Sequence, residues 1–130
     1  MRTIEIDGWA LISAEERNAE HPTTFVIPDR HAREGLRPGD AAKLLFDIET
    51  KENNEVVDRG VDRMWVIVTR CGDGLYHGVL ESDPGAADGL DLRPGTLVTF
   101  GPEHIADIDR PPRDYLIERF GTDFRDEKLA

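Results

Sequence analysis

One cysteine, two serines and no long apolar run set the first limits on this chain. Cys71 has no second cysteine with which to close an internal disulfide, which fits a reducing compartment. No stretch approaches the roughly 18 to 20 consecutive apolar residues of a membrane span. Met1-Arg2-Thr3-Ile4-Glu5-Ile6-Asp7 alternates charge with aliphatic side chains where a secretory leader needs an apolar core. The expectation is a soluble, cytoplasmic protein with no membrane partner. Clusters of basic residues are missing too: 27 Asp and Glu face 16 Lys and Arg, a formal net charge of -11. A grip on phosphates needs Lys and Arg gathered in one patch, so nucleic acid is not an expected partner. The acidic field favours instead a protein partner with a basic surface.

Several chemistries lack their residues. Ser13 reads as a helix cap and Ser82 as a turn residue, and neither stands in G-x-S-x-G. His21, His31, His77 and His104 show no H-E-x-x-H spacing and no Cys-x-x-Cys partner, so no metal site is expected. The acidic stretch from Asp47 puts Lys51 and Glu52 where a calcium loop wants an oxygen ligand and a glycine, while Asp83, Asp88 and Asp91 read as loop acids. Neither phosphate-cradling glycine motif occurs, and no cofactor is expected.

What is present is enough for one core in one domain: 130 residues, 38% hydrophobic, with aromatic residues along the whole length. Ile4, Ile6 and Trp9 to Ile12 read as a first strand region, and Ser13-Ala14-Glu15-Glu16 has the form of a capping box opening a short helix. Thr23 to Ile27 reads as a second strand, followed by a helical turn over Arg30 to Glu34. Leu36-Arg37-Pro38-Gly39 and Leu92-Arg93-Pro94-Gly95 carry the Pro-Gly pair of a type II turn, each leading into a strand that ends in Phe46 or Phe100. A Trp strand and an aromatic-led strand precede each turn, so duplication and repeated use of a good turn both remain open. The polar segment 50–63 reads as a mobile acidic loop, and 122–130 as a loose C-terminal tail. Met64 to Thr69 and Leu75 to Leu80 predict a central hairpin with Trp65 buried and Cys71 at its tip, and Pro111-Pro112 introduces a helix over Arg113 to Phe120 closed by Gly121. Its buried stripe is expected to be Tyr115, Leu116 and Phe120. These elements predict an α+β fold: a curved, mainly antiparallel sheet with short helices packed on one side or end.

Three sets of residues are candidates for chemistry. Cys71 stands beside Arg70, which would favour the thiolate, with His77 as the nearby base. Asp107 and Asp109 face the same way on an extended segment, as a carboxylate pair for acid-base work requires. Arg37 and Arg93, at matching turns, are candidates for an anion.

Between Phe25 and Ile108 stand, in order, Lys43-Leu44-Leu45-Phe46, Met64-Trp65-Val66-Ile67-Val68, Tyr76-His77-Gly78-Val79-Leu80, Asp83-Pro84, Leu92 with Gly95 leading to Val98 and Phe100, and Ile105-Ala106-Asp107. That order of pieces resembles a bacterial family known as domain of unknown function 2314. The resemblance implies a compact bacterial module and carries no catalytic residue with it. With no complete catalytic motif, the leading expectation is a protein-binding or regulatory module, immunity-like or stress-accessory. A small enzyme using Cys71 with His77, or Asp107 with Asp109, is the alternative.

Overall fold

A computed structural model describes residues 8–82 and 92–125. Six strands form one antiparallel sheet: β1 (Trp9–Ile12), β2 (Ala41–Glu52), β3 (Glu55–Gly72), β4 (Leu75–Leu80), β5 (Leu97–Phe100) and β6 (Ile105–Asp109). Three short helices accompany them: α1 (Ala14–Glu20), α2 (Arg30–Glu34) and α3 (Arg113–Phe120). The order across the sheet is β1-β2-β3-β4-β5. β6 joins the edge that β1 occupies, taking Ala41 to Leu44 of β2 while β1 takes Leu45 to Ile48. The sheet curls into a half-barrel, so the fold is the α+β arrangement on a curved antiparallel sheet that the sequence predicts.

Period-two alternation sorts the strands into an inner and an outer face. Ala42, Leu44, Phe46 and Ile48 of β2, Met64, Val66 and Val68 of β3, Tyr76 and Leu80 of β4, and Val98 and Phe100 of β5 fill the inner face. Trp9 joins them from β1, its ring 5.5 Å from that of Phe46. On the outer face Ala41 and Ile67 meet Leu116 of α3, with Trp65, Val79, Phe120 and Phe124 around them. Tyr115, expected in the helix stripe, is instead 41% exposed.

Local chemistry sets the connections. Ser13 Oγ accepts from Glu16 N–H at 3.1 Å and Asp29 Oδ1 from Ala32 N–H at 2.8 Å, the caps of α1 and α2. The two Leu-Arg-Pro-Gly turns are built alike. Asp40 N–H returns to Arg37 C=O and Thr96 N–H to Arg93 C=O, both at 3.0 Å. Gly39 and Gly95 sit at φ +93° and +90°, as the third place of a type II turn requires. Each glycine then donates to a strand carbonyl at 2.8 Å, Gly39 to Val68 and Gly95 to Leu80. α1 and α2 are tied to each other and to the turn before β6 by Arg33, only 6% exposed, whose guanidinium meets Glu15 at 2.6 Å and the carbonyls of Pro28 and Pro102 at 2.9 and 3.0 Å.

The structure corrects several expectations. Thr23 to Ile27 is a turn and an irregular crossing, anchored by Phe25 N–H on His21 C=O at 2.8 Å. The segment 50–63 is paired, not irregular: β2 and β3 continue as a ribbon to a two-residue turn at Asn53-Asn54, where φ is +52° and +66°. Both residues tolerate that left-handed conformation, and backbone pairing needs no apolar side chains to proceed. Cys71 lies within β3, since the β3–β4 turn is only Asp73-Gly74. Trp65 is half-buried on the outer face, opposite to Trp9. Residues 122–125 are not loose: Phe124 packs 5.7 Å from Phe120, and Arg125 donates to Pro111 C=O at 2.8 Å. Ile4, Ile6, Asp83, Asp88, Asp91 and 126–130 lie outside the described residues.

Candidate functional site

The inner face is filled by side chains, so surface concavities belong to the outer face, where α3 and the crossing segment 21–28 cover only part of the sheet. Three clefts are found there among the described residues. The first, about 450 Å³, runs between the crossing segment and β6, with Phe25, Lys43, Arg63 and Asp107 along it. The Arg63 guanidinium sits 5.5 Å from the centre of the Phe25 ring. The second, about 320 Å³, lies beside α3 and is walled by Trp65, Glu81, Asp109 and Tyr115. Lys43 links the two, since its ammonium stands 5.1 Å from the centre of the Trp65 ring. Tyr115 hydroxyl donates to Glu81, and that bond, with some burial, raises the phenol's pKa. Arg119 also reaches the Glu81 backbone carbonyl at 2.7 Å.

The third cleft, about 510 Å³, opens at the far end of the sheet between β3, β4, β5 and residues 122–124. Its polar groups come from four segments. His77 Nδ1 is 3.1 Å from Thr99 Oγ1 across the β4–β5 pair, and Thr69 Oγ1 donates to His77 C=O at 3.1 Å. Arg70 and Thr122 complete the polar part, and Leu97 and Phe124 supply an apolar wall.

The first candidate pair, Cys71 with His77, is not brought together. Cys71 pairs with Tyr76, an inner-face residue, whereas His77 turns to the outer face. The thiol instead donates to Leu36 C=O at 3.4 Å. Burial, reinforced by the charge of Asp40, pushes the Cys71 thiol's pKa up, so the expected activation of a thiolate by Arg70 is reversed in sign. Asp107 and Asp109 do share the outer face, opposite Lys43 and Ala41, but they line different clefts. Arg37 and Arg93 are exposed at turns docked on different strands and line none of the three clefts.

Asp47, from the stretch with a superficial likeness to a calcium loop, is held by Arg59 at 2.9 and 3.2 Å. Among the described residues no group of three His, Cys, Asp or Glu gathers to hold a metal ion. No described helix is long and apolar enough to cross a membrane. His104 is buried, its Nδ1 accepting Gly101 N–H at 3.0 Å. That bond occupies the lone pair facing Glu103, so the 3.4 Å approach of Glu103 is not an ion pair. Burial outweighs the pull of Glu103 and Glu15 and lowers the imidazole's pKa.

Sequence reading missed the threonines of the third cleft and the Phe25, Arg63, Lys43 and Trp65 row. Both depend on strand register, and neither forms a motif along the chain. No family model, curated protein or solved structure matches the chain.

Proposed function

We propose that this chain is a non-catalytic protein-binding or regulatory module, of an immunity-like or stress-accessory kind, that docks a partner protein with a basic surface on its outer face. The observation that carries the reading is the uncovered strip between the crossing segment and α3. There Phe25, Trp65 and Tyr115 present aromatic surface, with Arg63 and Lys43 against the first two, Val26 is 74% exposed, and Asp107, Asp109 and Glu81 border the apolar groups. Aromatic anchors with a polar rim suit a protein contact. The formal charge of -11 would draw a basic surface toward it. The resemblance to the bacterial domain of unknown function 2314 agrees with a small module of this kind and names no reaction. Placement of Cys71 and His77 on opposite faces, and of Asp107 and Asp109 in different clefts, weighs against the enzymatic alternative.

The test begins with affinity capture from the native cell, followed by binding kinetics with the purified partner. Association should slow as salt rises, and Val26→Asp or Trp65→Ala should weaken binding in a protein that remains folded. Turnover of a small molecule by the purified chain, with no stoichiometric protein partner, would overturn the reading.

A further inference from the structure

We propose that the third outer-face cleft is a binding site for a small organic anion: one carboxylate or phosphate group on an apolar body. The site is made by a bulge. β3 and β4 pair Val68 with Gly78, and an unbroken ladder would set Thr69 opposite His77 and Arg70 opposite Tyr76, an inner-face residue. The extra residue, Thr69, shifts the register so that Arg70 pairs with His77 and Cys71 takes the place opposite Tyr76. A single bulge thereby moves a guanidinium from the core side to the outer side, the re-aiming that bulges accomplish beside functional sites.

The surroundings fit an anion. Although the chain carries a net charge of -11, no acidic residue among the described residues lines this cleft, whereas Asp107 lines the first and Asp109 and Glu81 the second. Arg70 has no carboxylate partner among the described residues. Thr69, Thr99 and Thr122 bring hydroxyl groups, and His77 a ring nitrogen that Thr99 orients. A guanidinium with neighbouring hydroxyls suits a carboxylate or phosphate. Leu97, 72% exposed, and Phe124 form the wall that an apolar body would cover.

Amide spectra of the full chain, titrated with phenyl phosphate and with benzoate, read the site directly, with benzyl alcohol as the uncharged control. At least one anion should bind, with a dissociation constant on the order of 1 mM for so small a probe, and shift the amides of Thr69, Arg70, His77, Thr99 and Phe124. The response to each anion separates the two sources: phenyl phosphate alone assigns a phosphate ligand, benzoate alone a carboxylate, and both the shared anionic chemistry. Arg70→Gln should weaken binding about tenfold, the loss of one charge-assisted contact, while Arg30→Gln, which removes the same charge from an exposed position of α2 outside the three clefts, should leave it unchanged. The proposal is overturned if benzyl alcohol binds as well as the anions, if Arg70→Gln binds like the parent, or if neither anion shifts these amides at about 10 mM.

Discussion

The hydroxyl of Tyr76 donates to the carbonyl of Arg33 at 2.7 Å and accepts the Leu36 N–H at 3.2 Å. One phenol oxygen in β4 thus terminates α2 and fixes the entry to the first Leu-Arg-Pro-Gly turn. Tyr76→Phe keeps the ring, which lies 5.3 Å from Phe100, but leaves a donor and an acceptor buried without it. A loss of about 1 to 3 kcal/mol in denaturant unfolding is expected. An unchanged midpoint would remove this bond from the account of the fold.

The two tryptophans should separate. Trp9 is 1% exposed and packed on Phe46, so Trp9→Ala should cost about 3 to 5 kcal/mol. Trp65 is half-buried beneath Lys43, and Trp65→Ala should cost less, about 1 to 3 kcal/mol. Equilibrium unfolding of both variants checks the order, and its reversal would exchange the two faces.

Equal turns should respond unequally to the same substitution. Gly95→Ala introduces a Cβ with nothing within 4 Å and meets only the unfavourable positive φ, about 1 to 2 kcal/mol. Gly39→Ala adds contacts at 2.8 Å with Asp123 C=O and Arg125 Nε, so it should be the more destabilising. Melting temperatures of the two variants decide it.

Acid should weaken the fold through His104. Its folded pKa lies below the ordinary 6.5, so folding gains nothing to lose above that value; as pH falls below it, the unfolded chain takes up a proton that the folded site resists. Stability therefore declines as pH falls toward the depressed folded value. Denaturant midpoints at about pH 7.5 and about pH 5.5 should differ less in His104→Asn, which keeps an acceptor for Gly101 N–H, than in the parent.

Cys71 should be slow and dispensable. Cys71 is exposed, but partial burial of its thiol and the charge of Asp40 raise its pKa, so it should react with a thiol reagent more slowly than free cysteine at the same pH and reach its full rate at higher pH. Cys71→Ala should keep the fold. Rapid labelling near neutral pH would contradict the geometry at Leu36.

Much of the fold was legible where local chemistry dictates it. Ser13 and Asp29 mark helix starts through side-chain oxygens that accept backbone N–H groups, Gly121 marks a helix end through its own N–H, and Pro-Gly at 38–39 and 94–95 marks the turns. Reading failed where backbone pairing acts without an apolar pattern. Half of the residues in the ribbon over 50–63 are charged, yet it runs in ladder, and the β-favouring Thr23 to Ile27 is claimed by a crossing that lays Phe25 against Arg63. The clefts were the least legible part, because a one-residue bulge at Thr69 decides which face receives Arg70 and Cys71. Nothing in the local composition reveals that shift.

β2 is bordered by three strands, and they become available at different times. β3 follows across the Asn53-Asn54 turn and can zip onto β2 on the microsecond scale of a hairpin, whereas β6, which covers Ala41 to Leu44, is separated from it by all of β3, β4 and β5. Loop-closure entropy delays that pairing until the intervening hairpins have drawn its ends together. During synthesis the backbone edge at Ala41 to Leu44 therefore stays open until β6 leaves the ribosome, and for that interval it is a template on which another nascent chain could pair.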